Sequence, residues 1–232
     1  EQAAEKLSAS GKSSRDRILV IPPLLDLERF QQALSSSKMD KTSRSSGNEK
    51  IVVGVVARMQ RHRRFPELIK AFVSAARIDQ RLHLEILGRG THQDEVARFP
   101  ARDSGLSERI HFPGYIDPAD YPTRLASFDM VIFLVPGSDG TCRAAREALA
   151  CGVPVISSQR GLLPSLIPET GGLLLADEKP ETLTRAILSL AENSSLRHQL
   201  AEGAKKHAES VFDVNLHIDG LMADLKPFLA TS

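Results

Sequence analysis

The sequence lacks tryptophan, contains no long apolar run and has only two cysteines, Cys142 and Cys151. The cysteines are nine positions apart on one predicted helix, whereas a disulfide needs Cα atoms within about 7 Å. We expect both to be reduced, which fits a cytoplasmic protein. A membrane-spanning helix needs about 20 apolar residues, so we expect at most peripheral contact with a membrane.

The charges are nearly balanced, with 30 lysines and arginines against 29 aspartates and glutamates, a net charge of +1. No basic stripe with interleaved aromatic residues is present, so nucleic acid is not an expected partner. The seven histidines have no metal-ligand spacing, and we expect neither a metal site nor a bound cofactor. The length of 232 residues suits one large domain, or one domain with appendages.

Short apolar runs alternate with amphipathic segments along most of the chain, a pattern typical of a parallel sheet flanked by helices. The runs predict six strands, at 51–56, 82–87, 110–112, 130–135, 153–157 and 173–175. The amphipathic segments predict helices at 65–77, 93–101, 118–127, 142–151, 180–193, 196–210 and 214–229. We therefore predict an α/β fold with a doubly wound, Rossmann-like parallel sheet.

The stretch 136–152 reads PGSDGTCRAAREALACG and follows the apolar run 130–135. It predicts a loop and then a helix, whose free N–H groups favour an anion such as a diphosphate. Asp139 and Glu147 are eight positions apart, which is roughly 12 Å on a helix. Carboxylates at these places suit the hydroxyls of a sugar and a ribose. The spacing fits equally well a helix-capping Asp139 and a solvent-exposed Glu147.

Arginines are concentrated between the first predicted strand and the next helix, at Arg58, Arg61, Arg63 and Arg64. Loops at the carboxyl end of a parallel sheet bind ligands in open α/β folds. The planar fork of donors on arginine suits a phosphate group. A solvated basic loop is the alternative that these residues leave open.

The stretch 136–152 resembles the Glu-x7-Glu motif of the retaining glycosyltransferases of family 4, which have the GT-B fold. Its end, EALACGVPVISS, resembles the usual EAMACGxPVVAT of that family. Asp139 stands in place of the first glutamate and Glu147 in place of the second. The resemblance implies catalytic roles for both, with Asp139 near the donor sugar and Glu147 on the ribose. It also implies that the N–H groups of Gly140, Thr141 and Cys142 bind the donor diphosphate.

Other motifs of the same family follow in the expected order. The segment ARMQRHRR resembles GR-x4-KG, which implies that Arg58 and Arg63 bind the diphosphate, while glycine positions of the motif are taken by other residues such as Arg64. The resemblance further places Gly88 and Ile116 at the base. It places the donor sugar near Gly161 and Leu162.

The segment RILVIPPLLDLERF resembles the hinge between the two domains of these enzymes. It implies that 1–16 are a remnant of the N-terminal acceptor domain or a disordered lead, and that 17–30 are the hinge. A flexible linker at 31–50, a donor-binding domain at 51–212 and a C-terminal helix at 213–232 complete the expected organisation. In the family this last helix crosses back to the first domain, so we expect an exposed apolar face on it.

The resemblance implies the donor-binding half of a retaining glycosyltransferase of the hexosyltransferase type, with a UDP-sugar or GDP-sugar as substrate. The acceptor would be a glycan or a lipid-linked molecule, as in bacterial polysaccharide or lipopolysaccharide synthesis. Without the missing N-terminal domain we expect the chain to be inactive in transfer. Two alternatives remain open: a nucleotide-sugar 2-epimerase of the GT-B fold, and a non-catalytic nucleotide-binding domain in which Asp139 marks lost chemistry.

Overall fold

Six strands form one parallel sheet in a computed structural model, which describes residues 5, 8–11, 24–33, 49–136 and 142–229. They are β1 (Ile51–Val56), β2 (Leu82–Leu87), β3 (Ile110–Gly114), β4 (Met130–Phe133), β5 (Val155–Ser157) and β6 (Gly172–Leu174). Their order in the sheet is β3-β2-β1-β4-β5-β6, and every pairing is parallel. This confirms the predicted doubly wound sheet, and β1 and β4, which are nearly all apolar, lie at its centre.

Apart from short turns, the predicted helices have counterparts close to their expected positions, and two further helices, at 27–33 and 163–166, were not predicted. Within the described ranges the helices are α1 (27–33), α2 (Phe65–Ile78), α3 (Phe99–Asp103), α4 (Tyr121–Ala126), α5 (Arg143–Ala150), α6 (Leu163–Leu166), α7 (Pro180–Glu192), α8 (Ser194–Val211) and α9 (Val214–Leu229). None of these helices is long and apolar enough to pass through a bilayer.

The helix predicted at 93–101 is interrupted. A π-helical turn, Asp94–Arg98, precedes α3, and the amide of Phe99 donates to the carbonyl of Asp94. Pro100 has no amide hydrogen to continue the regular ladder, which accounts for the wider turn just before it. The sequence pattern gives the amphipathic face but does not reveal this change of helix type.

The sheet separates two apolar layers. Helices α2 and α7 cover one face, with Phe65, Phe72 and Ile187 fully buried between them and the strands. Helices α5 and α8 cover the other face, where Ala148 and Ala204 let them approach closely. The apolar stripes predicted for α2, α7 and α8 are therefore confirmed as the surfaces that face the core.

Residues 24–33 pack against the second layer. The amide of Leu25 donates to the carbonyl of Phe212 at 2.6 Å, and the amide of Val214 donates to the carbonyl of Leu25 at 3.1 Å. Phe30 and Ala33 of α1 are buried. The linker expected from residue 31 thus begins inside a packed helix, because its first three residues continue α1.

The last helix, α9, carries apolar side chains on its surface. Leu216, Ile218 and Met222 are exposed. This agrees with the expected exposed face.

Gly54 on β1 lies directly against the buried ring of Phe128, and a Cβ atom there would stand 2.0 Å from that ring. We expect Gly54→Ala to lower the free energy of unfolding by about 1–3 kcal/mol, the usual effect of overpacking a core. Thermal melting measures this loss. The matched control is Gly220→Ala on α9, where an added Cβ meets nothing within 4 Å and alanine favours the helix. Equal melting temperatures for the two variants would contradict the packing described.

Candidate functional site

The central strands β1 and β4 form the topological switch point of the sheet, since the chain leaves them toward opposite sides. The guanidinium of Arg63, which follows β1, donates from Nη1 to the carbonyl oxygens of Val135 and Pro136, which follow β4. The distance to the Val135 oxygen is 3.0 Å. Arg63, a predicted diphosphate ligand, therefore links the segments that follow β1 and β4 at the carboxyl edge of the sheet.

Two residues in the segments that follow β1 and β4 have a left-handed backbone. Arg64 (φ 61°) precedes α2 and Cys142 (φ 52°) precedes α5, and they are the only non-glycine residues with positive φ in the described parts of the chain. Such a conformation is costly for residues other than glycine. Arg64 occupies a place where the motif GR-x4-KG has glycine, which explains the preference for glycine there.

The helix in the 136–152 stretch starts one residue later than predicted. Cys142 is fully buried and not helical, so α5 begins at Arg143. The helical distance of roughly 12 Å between Asp139 and Glu147 consequently does not apply. Asp139, Gly140 and Thr141 lie outside the described residues, and their expected roles stay predictions.

A groove of about 340 Å³ opens at the carboxyl ends of the strands, and we call it the carboxyl-edge groove. It brings together three predicted site residues, Gly88, Ile116 and Glu147. The complete lining comprises Arg29, Val56, Leu87, Gly88, Tyr115, Ile116, Pro118, Tyr121, Arg143 and Glu147. Its position is where open α/β sheets bind ligands.

Glu147 is 3% exposed, so the alternative of a solvent-exposed helix residue is wrong. The hydroxyl of Tyr121 donates to its Oε2 at 2.8 Å, and Nε of Arg143 donates to its Oε1 at 2.8 Å. A carboxylate has about four lone-pair sites. Both oxygens of Glu147 therefore keep capacity for a further donor, such as a ligand hydroxyl.

Tyr121 and Arg143 are site residues that the sequence reasoning missed. The spacing of Arg143 and Glu147 on one helix was an available signal, because residues four apart face each other. No local pattern marks Tyr121, which reaches Glu147 only through the packing of α4 on α5. Burial raises the pKa of Tyr121, and the charge of Glu147 and its hydrogen bond raise it further. The phenol therefore remains a donor at any working pH.

Gly88 follows β2 and links it to the end of β3 through a backbone hydrogen bond. Its φ is 122°, and an added Cβ would stand 2.5 Å from the carbonyl oxygen of Ala57. Its amide donates to the carbonyl of Gly114 at 2.8 Å. Beyond Gly114, Ile116 is partly buried against the core, whereas Tyr115 is 74% exposed and is not a packing residue.

The four arginines after β1 have different surroundings. Arg61 forms an ion pair with Glu95 at 2.8 Å, and Arg64 lies 3.3 Å from Glu67. Arg58 is exposed and has no ion-pair or hydrogen-bond partner within the ranges that the structure describes. Of the two arginines predicted to bind the diphosphate, Arg58 thus has its whole guanidinium available to a ligand, whereas Nη1 of Arg63 already donates to two carbonyls.

The loop predicted to face the donor sugar adjoins the crevice. Gly161 has φ 56°, and a Cβ there would stand 3.1 Å from Cγ of Pro136. Leu162 is half-exposed at the start of α6. The structure therefore places these two residues beside the end of the segment that follows β4.

The family described as glycosyl transferases group 1 matches residues 37–207, which is most of the chain. The chain belongs to this family. Its sheet and helices are those of GT-B glycosyltransferase structures. The structure of Anabaena HepE in complex with UDP and glucose is similar with a TM-score of 0.77 and 21% identity, covering 97% of this chain and 61% of that one.

Curated relatives of this chain include an uncharacterised glycosyltransferase of Methanocaldococcus jannaschii, which is 25% identical over 191 residues. That match covers 82% of this chain and 47% of the relative. A GDP-mannose-dependent monoacylated alpha-(1-6)-phosphatidylinositol monomannoside mannosyltransferase of Corynebacterium glutamicum is 25% identical over 201 residues, covering 82% of this chain and 51% of the relative. The chain spans about half the length of the curated relatives it matches.

A second cavity, of about 400 Å³, lies toward the amino ends of β2 and β3. It contains the stacked rings of His83 and His111 and the buried Glu85, which forms an ion pair with Arg124. No group of three His, Cys, Asp or Glu side chains suited to a metal occurs among the described residues. Because it lies away from the carboxyl ends of the strands and the switch point, this cavity is not the candidate active site.

Proposed function

We propose that this chain is the donor-binding half of a retaining glycosyltransferase and that it holds a nucleoside diphosphate sugar in the carboxyl-edge groove. The observation that carries the proposal is the buried carboxylate of Glu147 in that groove, beside the switch point of a group 1 glycosyl transferase sheet. A buried charge is costly unless it is paired, and Tyr121 and Arg143 pair this one while leaving each oxygen able to accept a further hydrogen bond. Its presence in a groove wall fits a role in recognising ligand hydroxyls.

From the ends of β2 and β3 to the switch point, successive residues suit the base, the ribose and the diphosphate of a nucleotide. The base lies against the backbone of Gly88 and Ile116 at the ends of β2 and β3. The ribose hydroxyls donate to Glu147, because a carboxylate is a strong acceptor. The diphosphate then extends toward the switch point, where Arg58 and Arg63 supply positive charge.

The proposed chemistry is departure of the nucleoside diphosphate from the anomeric carbon of the sugar. Negative charge grows on the leaving diphosphate, and fixed positive charge there stabilises the transition state. Arg58, Arg63 and the amides of Gly140, Thr141 and Cys142 are the proposed donors. Asp139 and the loop containing Gly161 and Leu162 are proposed to face the sugar. We expect this set to act without a metal ion.

The comparisons support two donor nucleotides. The Anabaena HepE structure contains UDP and glucose, and the Corynebacterium glutamicum relative is GDP-mannose-dependent. We therefore propose UDP or GDP as the nucleotide of the donor, with a glycan or lipid-linked molecule as acceptor. The acceptor side is proposed to come from a further domain, so that the chain alone binds the donor without transferring the sugar.

A thermal-shift panel of UDP, GDP and ADP tests the proposal. A ligand at about 100 times its Kd adds about 2.7 kcal/mol to the free energy of unfolding. For a protein of this size that raises the melting temperature by roughly 5–10 °C. We expect UDP or GDP to produce such a rise and ADP to produce less. No shift with any of the three at millimolar concentration would overturn the proposed donor site.

A further inference from the structure

The hydrogen bond between Tyr121 and Glu147 joins two helices inside the carboxyl-edge groove. Tyr121 is the first residue of α4, and Glu147 lies in the middle of α5. Their oxygens are 2.8 Å apart. Nothing in the sequence motifs assigns Tyr121 a role, yet it contacts the carboxylate that the proposed function places on the ribose.

The position of Tyr121 is set by packing. Pro122 and Leu125, on the same helix, are buried, and the thiol of Cys151 at the end of α5 lies 3.7 Å from the carbonyl oxygen of Pro122. The start of α4 is therefore held against the end of α5. The phenol oxygen reaches Glu147 from a rigid element rather than from a loop.

The second donor to Glu147 comes from a more exposed side chain. The side chain of Arg143 is 69% exposed, although its Nε lies 2.8 Å from Oε1. A long exposed side chain loses rotamer freedom when it keeps one geometry, which offsets part of what the ion pair contributes. The terminal torsion of a glutamate has broad energy wells. Of the two donors, Tyr121 has the less exposed side chain and is therefore the better placed to fix the orientation of the carboxylate.

We propose that Tyr121 is a positioning residue for ribose recognition: it holds the Glu147 carboxylate so that both oxygens accept the 2′- and 3′-hydroxyls of the nucleotide. This inference rests on the proposed function and extends it to specificity. A vicinal diol matches the spacing of two carboxylate oxygens only when the carboxylate plane faces it. The chain therefore discriminates ribonucleotides from their dideoxy forms through Tyr121.

Isothermal titration of wild type and Tyr121→Phe with UDP and 2′,3′-dideoxyuridine diphosphate tests this. GDP and 2′,3′-dideoxyguanosine diphosphate are titrated in the same way. We expect Tyr121→Phe to weaken binding of the ribonucleotide about tenfold, because one charge-assisted hydrogen bond no longer orders the acceptor. Binding of the dideoxy nucleotide should stay within about twofold, since that ligand does not use the carboxylate. Melting curves of both proteins verify that the variant is folded.

A double variant separates positioning from a direct contact. In a Glu147→Ala background the preference for the ribonucleotide is already lost, and adding Tyr121→Phe should change neither affinity. Equal weakening of both nucleotides by Tyr121→Phe, or an unchanged preference, would overturn the role of Tyr121 alone. Failure of the wild type to bind either UDP or GDP would overturn the proposed function and this inference with it.

Discussion

Replacing Glu147 with alanine is expected to weaken nucleoside diphosphate binding by about a hundredfold, the effect of losing two hydrogen bonds to a charged group. The reason is the place of the carboxylate, buried in the groove wall with one donor on each oxygen. Alanine removes the acceptor for both ribose hydroxyls and leaves the Tyr121 phenol without its partner.

Isothermal titration measures this loss, at a temperature well below the melting point because the variant also loses the Tyr121 hydrogen bond. Glu192→Ala is the matched control, since Glu192 is an exposed glutamate at the end of α7. Its neighbour Ala191 accepts a hydrogen bond from Arg81 at the amino end of β2, whereas the groove lies at the carboxyl ends of the strands. The control should bind the nucleotide like the wild type. A Glu147→Ala affinity within about threefold of the control would remove Glu147 from the binding site.

Arg58→Ala is expected to weaken binding of the nucleoside diphosphate by about tenfold, the value of one charge-assisted contact. Binding of the parent nucleoside should not change, because it has no phosphate. Arg58 is exposed and has no partner in the described ranges, so its loss should leave the melting temperature unaltered. The comparison of nucleotide and nucleoside therefore reports the phosphate contact separately from folding.

Arg102→Ala serves as the control for removing one positive charge. Arg102 is an exposed arginine on α3 that pairs with Asp103 at 2.8 Å. Arg102→Ala should change the affinity for neither the nucleoside diphosphate nor the nucleoside. If Arg58→Ala weakened the nucleoside as much as the diphosphate, or if Arg102→Ala matched its effect, the role of Arg58 at the diphosphate would be refuted.

Most of the fold is readable from the sequence because strand and helix burial are local patterns. The apolar run at Ile51–Val56 is a central strand buried on both faces, and the stripe on α2 faces the sheet as its spacing predicts. The π-helical turn before Pro100 was not predicted, since the apolar spacing is nearly the same in both helix types. Residues 31–33, which were expected in the linker, continue α1 instead, because this helix is stabilised by distant contacts and not by its own composition.

The candidate site was only partly predictable. Gly88 and Glu147 were predicted because family motifs mark them, and the structure brings both into one groove. Tyr121 was not found, because its contact with Glu147 depends on how two helices pack across 26 residues of sequence. The Arg63 side chain shows the same limit, since its bonds to the carbonyls after β4 depend on the order of strands in the sheet.

The central claim is that a nucleoside diphosphate binds in the carboxyl-edge groove with its ribose on Glu147. A crystal structure of the chain with UDP or GDP, whichever the thermal-shift panel selects, tests it most directly. We predict the 2′- and 3′-oxygens within about 3.2 Å of the Glu147 carboxylate and the diphosphate toward Arg58. A nucleotide seated instead in the cavity beside His83 and His111, with the groove empty, would contradict the claim.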